Sequence, residues 1–407
     1  MNTRKKGPAA IALMLSGLCF LLFLVSGSLA SPAGQQIESV NGVRIVHNKK
    51  GGVWGVDPKI TIGLLRTIGN VDTNDENLAF GSPLDMAVDD GGRVYILDSG
   101  NQRIQVFGSD GKYLRTIGRR GQGPGEFESL NSINFDSQGN FHVLDSAQRR
   151  IQVFTPRGEV LKTTPIIKLS IDRMRLLRSG PIVAKGAISF GMGGVEKERA
   201  RPGLVKLLGP DLETVREFGE PFDYGDEMTN RIGNSCYVAV DGQDNLLLCF
   251  VYQNRVEKFS PEGRLLWRAD RELNYSTKLI EKGRQEVTAN STRYYAPKLN
   301  RVTDAVAADE KGRAWIVTRD RQIRKEEEVT IMVSGSVDRG STRKVVGDTE
   351  LRTTDMYKLE IFAPDGVLLG AIPMSHFVDG IWVHRDRLFL LDRDRGVQFY
   401  EYKINEK

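Results

Sequence analysis

From about residue 60 onward the chain alternates apolar and polar positions in short runs, such as Arg103-Ile104-Gln105-Val106-Phe107 and Arg150-Ile151-Gln152-Val153-Phe154. A period of two places successive side chains on opposite faces, so these runs predict β-strands. Turn sequences separate them: Asp89-Asp90-Gly91-Gly92, Ser109-Asp110-Gly111, Pro261-Glu262-Gly263 and Pro364-Asp365-Gly366. Glycine supplies the positive φ that tight hairpins need, so neighbouring runs are expected to pair antiparallel.

The pattern is repeated. Val88-Asp89, Gly92, Leu97-Asp98-Ser99, Arg103 to Phe107, Gly111 and Leu114 recur 47 residues later without a gap. The second copy reads Phe135-Asp136, Gly139, Leu144-Asp145-Ser146, Arg150 to Phe154, Gly158 and Leu161. A third aligns at a shift of 152, through Val240-Asp241, Arg255-Val256, Phe259, Gly263 and Leu266. Each copy reads as a four-stranded meander of roughly 40 residues, the size of a propeller blade. Weaker copies lie from Leu176 to Phe218, with an insertion after Gly186, and from Val306, resuming at Leu359. The last runs from Phe377 to Tyr402 and stops after its third strand. Leu65-Arg66-Thr67-Ile68-Gly69 repeats Leu114 to Gly118 letter for letter, yet no first three strands precede it. This N-terminal strand is expected to complete the C-terminal blade and leave no open sheet edge there. The expected fold is all-β: a six-bladed β-propeller over residues 60–407, preceded by an extension over 31–59.

Ile117-Gly118-Arg119-Arg120-Gly121-Gln122-Gly123-Pro124-Gly125-Glu126-Phe127, with Asp98, Asn101-Gln102-Arg103-Ile104 and Val106-Phe107, resembles the NHL repeat. The chain after its first thirty residues is similar to a large group of exported bacterial six-bladed propellers, mostly without assigned activity. The resemblance implies a scaffold, and a scaffold does not fix a function.

The first thirty residues are built as a secretory signal. Arg4, Lys5 and Lys6 precede an apolar run from Ala9 to Val25, and Ser28-Leu29-Ala30 offers small residues for cleavage before Ser31. The same run is close to the length of a membrane span, so an uncleaved anchor is the alternative. Leu15 to Cys19 resembles a lipoprotein box, except that Leu18 stands where a small residue is needed. The formal charge of +5 falls to about +2 once the three cations of the signal are removed, so no uniform footprint for nucleic acid remains. After cleavage only Cys236 and Cys249 are left. One bridge between them, or two buried thiols, are both open, because their facing depends on a one-residue register choice.

Within a blade the second-to-third turn and the link to the next blade lie on one face, the top. The long segments 187–202, 220–232, 272–299 and about 322–354 all map there, on blades 3 to 5, and long loops in compact domains are commonly functional. Guanidinium groups and aromatic rings suit carboxylates, phosphates, sugars or a peptide. Arg120, Arg150, Arg255, Arg319, Tyr294 and Tyr295 are therefore the candidate ligand- or partner-binding residues, although Arg150 and Arg255 occupy a repeat position where they can instead tie blades together. The start of each innermost strand collects Asp85, Asn131, Asp172, Asn234, Asp304 and Asp379 at the channel mouth, oxygen donors of the kind that hold Ca²⁺. Four scattered histidines exclude a three-histidine zinc site, and no nucleophile with its base is present.

The expectation is an exported binding or scaffold propeller that uses no cofactor. Its top face is presented to a protein, peptide, glycan or small anionic ligand; no nucleic acid is involved, and a membrane only through an uncleaved N-terminus. The alternative is a metal-dependent hydrolase or lyase, gluconolactonase-like, with one Ca²⁺ in the channel mouth. Export is tested by intact-mass analysis of the protein recovered from its producing cells: a chain beginning at Ser31 is expected, and a membrane-bound chain retaining residues 1–30 would contradict cleavage.

Overall fold

The computed structural model describes residues 35–167, 169, 171–186, 203–288, 291–336 and 340–407. The leader 1–30 and the segment 187–202, both singled out above, lie outside them. Six antiparallel sheets surround a central channel. Blade 1 comprises Pro83–Val88, Val94–Asp98, Arg103–Phe107 and Tyr113–Ile117. Blade 2 comprises Leu130–Phe135, Phe141–Asp145, Arg150–Phe154 and Val160–Pro165. The other inner strands are Ile171–Leu176, Cys236–Val240, Thr303–Ala308 and Gly380–His384, and each packs beside the next around the axis. In blade 6 the outermost strand is Ile60–Ile68, antiparallel to Gln398–Glu406 from Ile60 opposite Glu406 to Ile68 opposite Phe399.

Burial follows the layering. Second strands such as Val94–Asp98 and Leu246–Phe250 are buried throughout, because each blade is packed between two others and its middle strands meet protein on both faces. Outer strands keep the alternation of a half-exposed sheet. The core accordingly lies between blades; Tyr95, Phe127, Phe141 and Phe154, for example, fill the gap between blades 1 and 2.

The extension before the ring adds to blade 4. Gln36–Val40 and Val43–Asn48 form a hairpin whose Asn41-Gly42 turn has both φ values positive (51° and 77°), the geometry of a type I′ turn. Val43–Asn48 then runs parallel to Leu265–Arg271, with Arg44 opposite Trp267 and Asn48 opposite Arg271. The chain next crosses blade 5, where the Val53 and Trp54 amides donate to the Leu368 and Leu369 carbonyls at 3.0 and 2.8 Å, before reaching blade 6. At one repeat position Leu114, Leu161 and Val215 are exposed on blades 1 to 3, whereas Leu266 and Leu369 are covered beneath this strap. Asn48 fastens it. Its buried amide donates to the Asp270 and Gly366 carbonyls and accepts from the Leu368 amide at 2.7 Å.

The cysteines are both free. Cys236 is opposite Phe250 and Cys249 is opposite Tyr237, so the one-residue offset turns the thiols to opposite faces of blade 4 and no bridge can form. Burial pushes the Cys236 thiol up to about 11 and raises Cys249 as well, leaving both unreactive.

Asn48→Ala leaves a buried amide and two carbonyls without partners and is expected to cost about 2–4 kcal/mol. Chemical denaturation checks this, with Val56→Ala at a fully exposed strap position as the neutral control. Equal stability of Asn48→Ala and the parent chain would show that the strap is not fastened as described.

Candidate functional site: the upper channel

In blades 1, 2, 3 and 5 the pairing of the first two strands slips by one residue, at Leu84, Asn131, Asp172 and Asp304. A bulge re-aims the residue it inserts. Asp85 is the residue after the slip, equivalent to Ser132 rather than Asn131, so it does not join a ring of oxygens at the mouth. It is buried on the axis instead. There its carboxylate accepts from the Ile133 amide of blade 2 (3.2 Å), Arg175 of blade 3 (2.9 Å) and Trp382 Nε1 of blade 6 (2.9 Å). Ser132 makes the same latch one blade on, accepting from the Met174 amide at 3.2 Å.

The other mouth residues divide by partner. Asp304 lies between two guanidinium groups, Arg319 and Arg301, each at 2.7 Å. Asn234 holds the preceding link through the Phe222 amide and carbonyl, and Asn131 accepts from Ser146 Oγ. With Asp85 and Asp304 engaged by arginines, these residues do not present an open oxygen set for one Ca²⁺. Among the described residues no three His, Cys, Asp or Glu side chains converge as metal ligands.

Asp172 and Asp379 remain. Both line a cavity of about 260 Å³ in the upper channel, walled by the inner strands of blades 1, 3, 4, 5 and 6. Its lining spans the two seams where inner strands approach least closely, between blades 3 and 4 and between blades 6 and 1. Burial raises the Asp172 carboxyl, an effect reduced by Lys185 and then Arg173, and its Oδ1 is buried without a hydrogen-bond partner among the described residues. Lys185, on the second strand of blade 3, lines the same cavity, and its ammonium has no hydrogen bond or ion pair among the described residues. Arg173 directs Nη1 to the Leu84 and Asn131 carbonyls and acts as a fixed charge. Burial pushes Asp379 up to about 6; Arg393 opposes the shift, and the Arg393 amide donates to it at 2.9 Å. Tyr237 and Trp382 add aromatic surface.

The top-face candidates are dispersed. Arg150 donates to the carbonyls of Gln122, Gly123 and Glu126, and Arg255 donates to the Glu220 carbonyl while lying 3.6 Å from the Phe250 ring centroid. Both guanidinium groups thus hold links between blades. Arg319 is the buried partner of Asp304. Arg120 is exposed on the link from blade 1 to blade 2. Tyr294 and Tyr295 lie across the ring, on a hairpin of Arg284–Thr288 with Ser291–Tyr295 in the link from blade 4 to blade 5. Tyr294 is exposed; Tyr295 donates to Glu286 and stacks with Arg284. That hairpin docks on the helix Glu227–Gly233 through the Gly283 amide and Thr229 Oγ1 at 3.0 Å. A second hairpin, Thr330–Ser336 with Gly340–Val346, rises from blade 5. A wider hollow of about 430 Å³ is lined by residues 324–327 and 351–355, where Arg321 holds Glu327 down to about 2 and pairs with Asp355, as Arg324 does. Lys185, Tyr237 and Trp382 escaped the sequence reading.

A family described as a 6-bladed β-propeller matches residues 70–170, which span blades 1 and 2. Two solved structures cover the ring. A Bacteroides fragilis protein assigned as exported superposes with a TM-score of 0.52 at 10% identity, over 89% of this chain and 99% of its own. A member of the DUF4221 family from Bacteroides vulgatus gives 0.53 at 11% identity, over 86% and 99%. These likenesses show the fold alone. A gluconolactonase of Xanthomonas campestris overlaps at 0.43 with 14% identity, over 80% and 87%, too slightly to bear on catalysis. No curated protein matches the chain. Among the described residues no helix is long and apolar enough to cross a membrane.

Asp379 makes the upper channel pH-sensitive. An acid whose folded value exceeds its unfolded value contributes stability that is present below about 3.8 and lost as pH rises through about 6. Asp379→Asn keeps an acceptor for the Arg393 amide and removes the charge. Its melting temperature is expected to match that of the parent chain at pH 4 and to exceed it by several degrees at pH 7.5. Parallel melting curves across that range would contradict the buried ionisation.

Proposed function

We propose that the protein is an exported binding propeller that takes a small charged ligand in the upper channel, beneath the loops of blades 3 to 5, without catalysing its conversion. One observation carries the reading: a cavity walled from five blades contains a buried carboxylate oxygen and an ammonium group that have no direct partners among the described residues. Buried polar groups are ordinarily hydrogen-bonded, so such a pair in a concave site marks a place for something else. The signal-like leader supports export, as does the likeness in fold to a Bacteroides fragilis protein assigned as exported. Exposed Arg120 and Tyr294 stand on opposite sides of the top, where they suit a wider protein, peptide or glycan partner rather than the small ligand.

Asp379 titrates where a general acid works, which favours hydrolase or lyase chemistry as a second reading. No histidine lines the cavity, and Cys236, which does, is held as a neutral thiol.

The test is thermal melting of residues 31–407 against millimolar panels of amino acids, dicarboxylates, sugar acids and sugar phosphates, followed by mass spectrometry of the incubated compounds. A ligand at 100 times its Kd adds about 2.7 kcal/mol. At least one compound is expected to raise the melting temperature unconverted, with the effect lost in Lys185→Met and kept in Arg120→Ala/Tyr294→Ala. No shift, a shift insensitive to Lys185, or turnover of the compound would overturn the reading.

A further inference from the structure

Resting on that reading, we infer that the cavity selects a zwitterion: a small molecule carrying both a carboxylate and an ammonium group in the spacing of an α-amino acid. The carboxylate is bound on the Lys185 side and the ammonium at Asp172.

Strand register brings the two groups together. Arg173 is directly opposite Lys185 in blade 3, and Asp172 is the bulged residue beside Arg173. Asp172 and Lys185 are therefore diagonal neighbours on adjoining strands. The lysine charge reaches the carboxyl, yet the two groups form no ion pair within 4.0 Å. Held apart in one cavity, these opposite charges each lack a counter-charge at contact distance among the described residues, and each is costly to leave so.

Ligand classes differ in how they meet that demand. A simple anion satisfies Lys185 but brings its charge up against Asp172. A simple cation satisfies Asp172 and is repelled by Lys185 and by the fixed charge of Arg173. A molecule with both charges answers both groups and leaves the net charge of the cavity unchanged. Two cations side by side, Arg173 and Lys185, set the sense of binding, because they make that wall the carboxylate side. The remaining wall is partly aliphatic, through Val183, Val238 and Ile381, with Trp382 beside it, and suits a short side chain. A volume of about 260 Å³ lies just under the usual range for small-molecule sites, which begins near 300 Å³, and so suits a ligand of amino-acid size better than an oligomer.

Calorimetric titration of residues 31–407 with the twenty L-amino acids tests this. For each binder, the same carbon skeleton is then supplied as its des-amino acid and as its decarboxylated amine. Both truncated analogues are expected to bind about tenfold or more weakly than the amino acid. Asp172→Asn should weaken the amino acid about tenfold while strengthening the des-amino acid, whose charge no longer meets a carboxylate there. Lys185→Met should weaken both, and Lys185→Arg should restore them; unchanged melting profiles show that the variants are folded. Equal affinity for an amino acid and its des-amino acid overturns zwitterion selection and leaves the small-ligand reading standing. So does binding of a dicarboxylate or sugar acid with no amino acid bound. Absence of binding by every compound in either panel overturns both.

Discussion

A carboxylate at the axis of the ring sets what the rest of the channel can be. Asp85 is buried, and an unpaired charge there would cost several kcal/mol, so its oxygens must be met by donors from around the ring. Ile133, Arg175 and Trp382 supply them from blades 2, 3 and 6. Drawing Arg175 and Trp382 onto one carboxylate ties blades across the axis that do not adjoin in sequence. The same requirement places both side chains in the wall of the upper cavity. The group that the sequence offered as a metal ligand is in effect the hub to which four blades are latched.

Around that hub the ring is unevenly closed. The strap covers blades 4 and 5 on the outside, where Asn48 stitches their edges together, and the Arg271–Glu360 pair is buried between the same two blades. Inside, the seam between blades 3 and 4 is looser, and Asp172, Lys185 and Cys236 face the space it leaves. Rigidity on one flank and an opening beside it are what a preorganised site needs, since the scaffold bears the cost of holding charged groups apart before anything binds.

Much of this was legible in the sequence because it is local. Alternation, turn glycines and gapless repeats mark each blade, and Leu65 to Gly69 announces a fourth strand without its first three. The strap was only half legible. Asn41-Gly42 between apolar positions is a hairpin signal, but the partner of that hairpin lies more than two hundred residues away and runs parallel, which no local pattern encodes. Position at the start of an inner strand is a poor guide to facing: it groups Asp85 with Asn131, although the 47-residue shift makes Ser132 its equivalent and the bulge falls one residue earlier in both blades. Arg150 and Arg255, candidates for ligand binding that share a repeat position, direct their guanidinium groups to link carbonyls. Lys185 did leave a trace: it occupies the position held by Leu97 and Leu144 in blades 1 and 2, a lysine where the second strand is otherwise apolar.

On the proposed reading the upper channel holds Asp172 and Lys185 apart for a ligand that joins them. That reading is tested most directly by a crystal structure of residues 31–407 grown with an amino-acid ligand, at a resolution that separates ligand from water. One molecule is expected between the Asp172 carboxylate and the Lys185 ammonium, its side chain toward Val238 and Trp382. A direct Asp172–Lys185 ion pair with water filling the channel, or a ligand seated only on the outer loops, would contradict it.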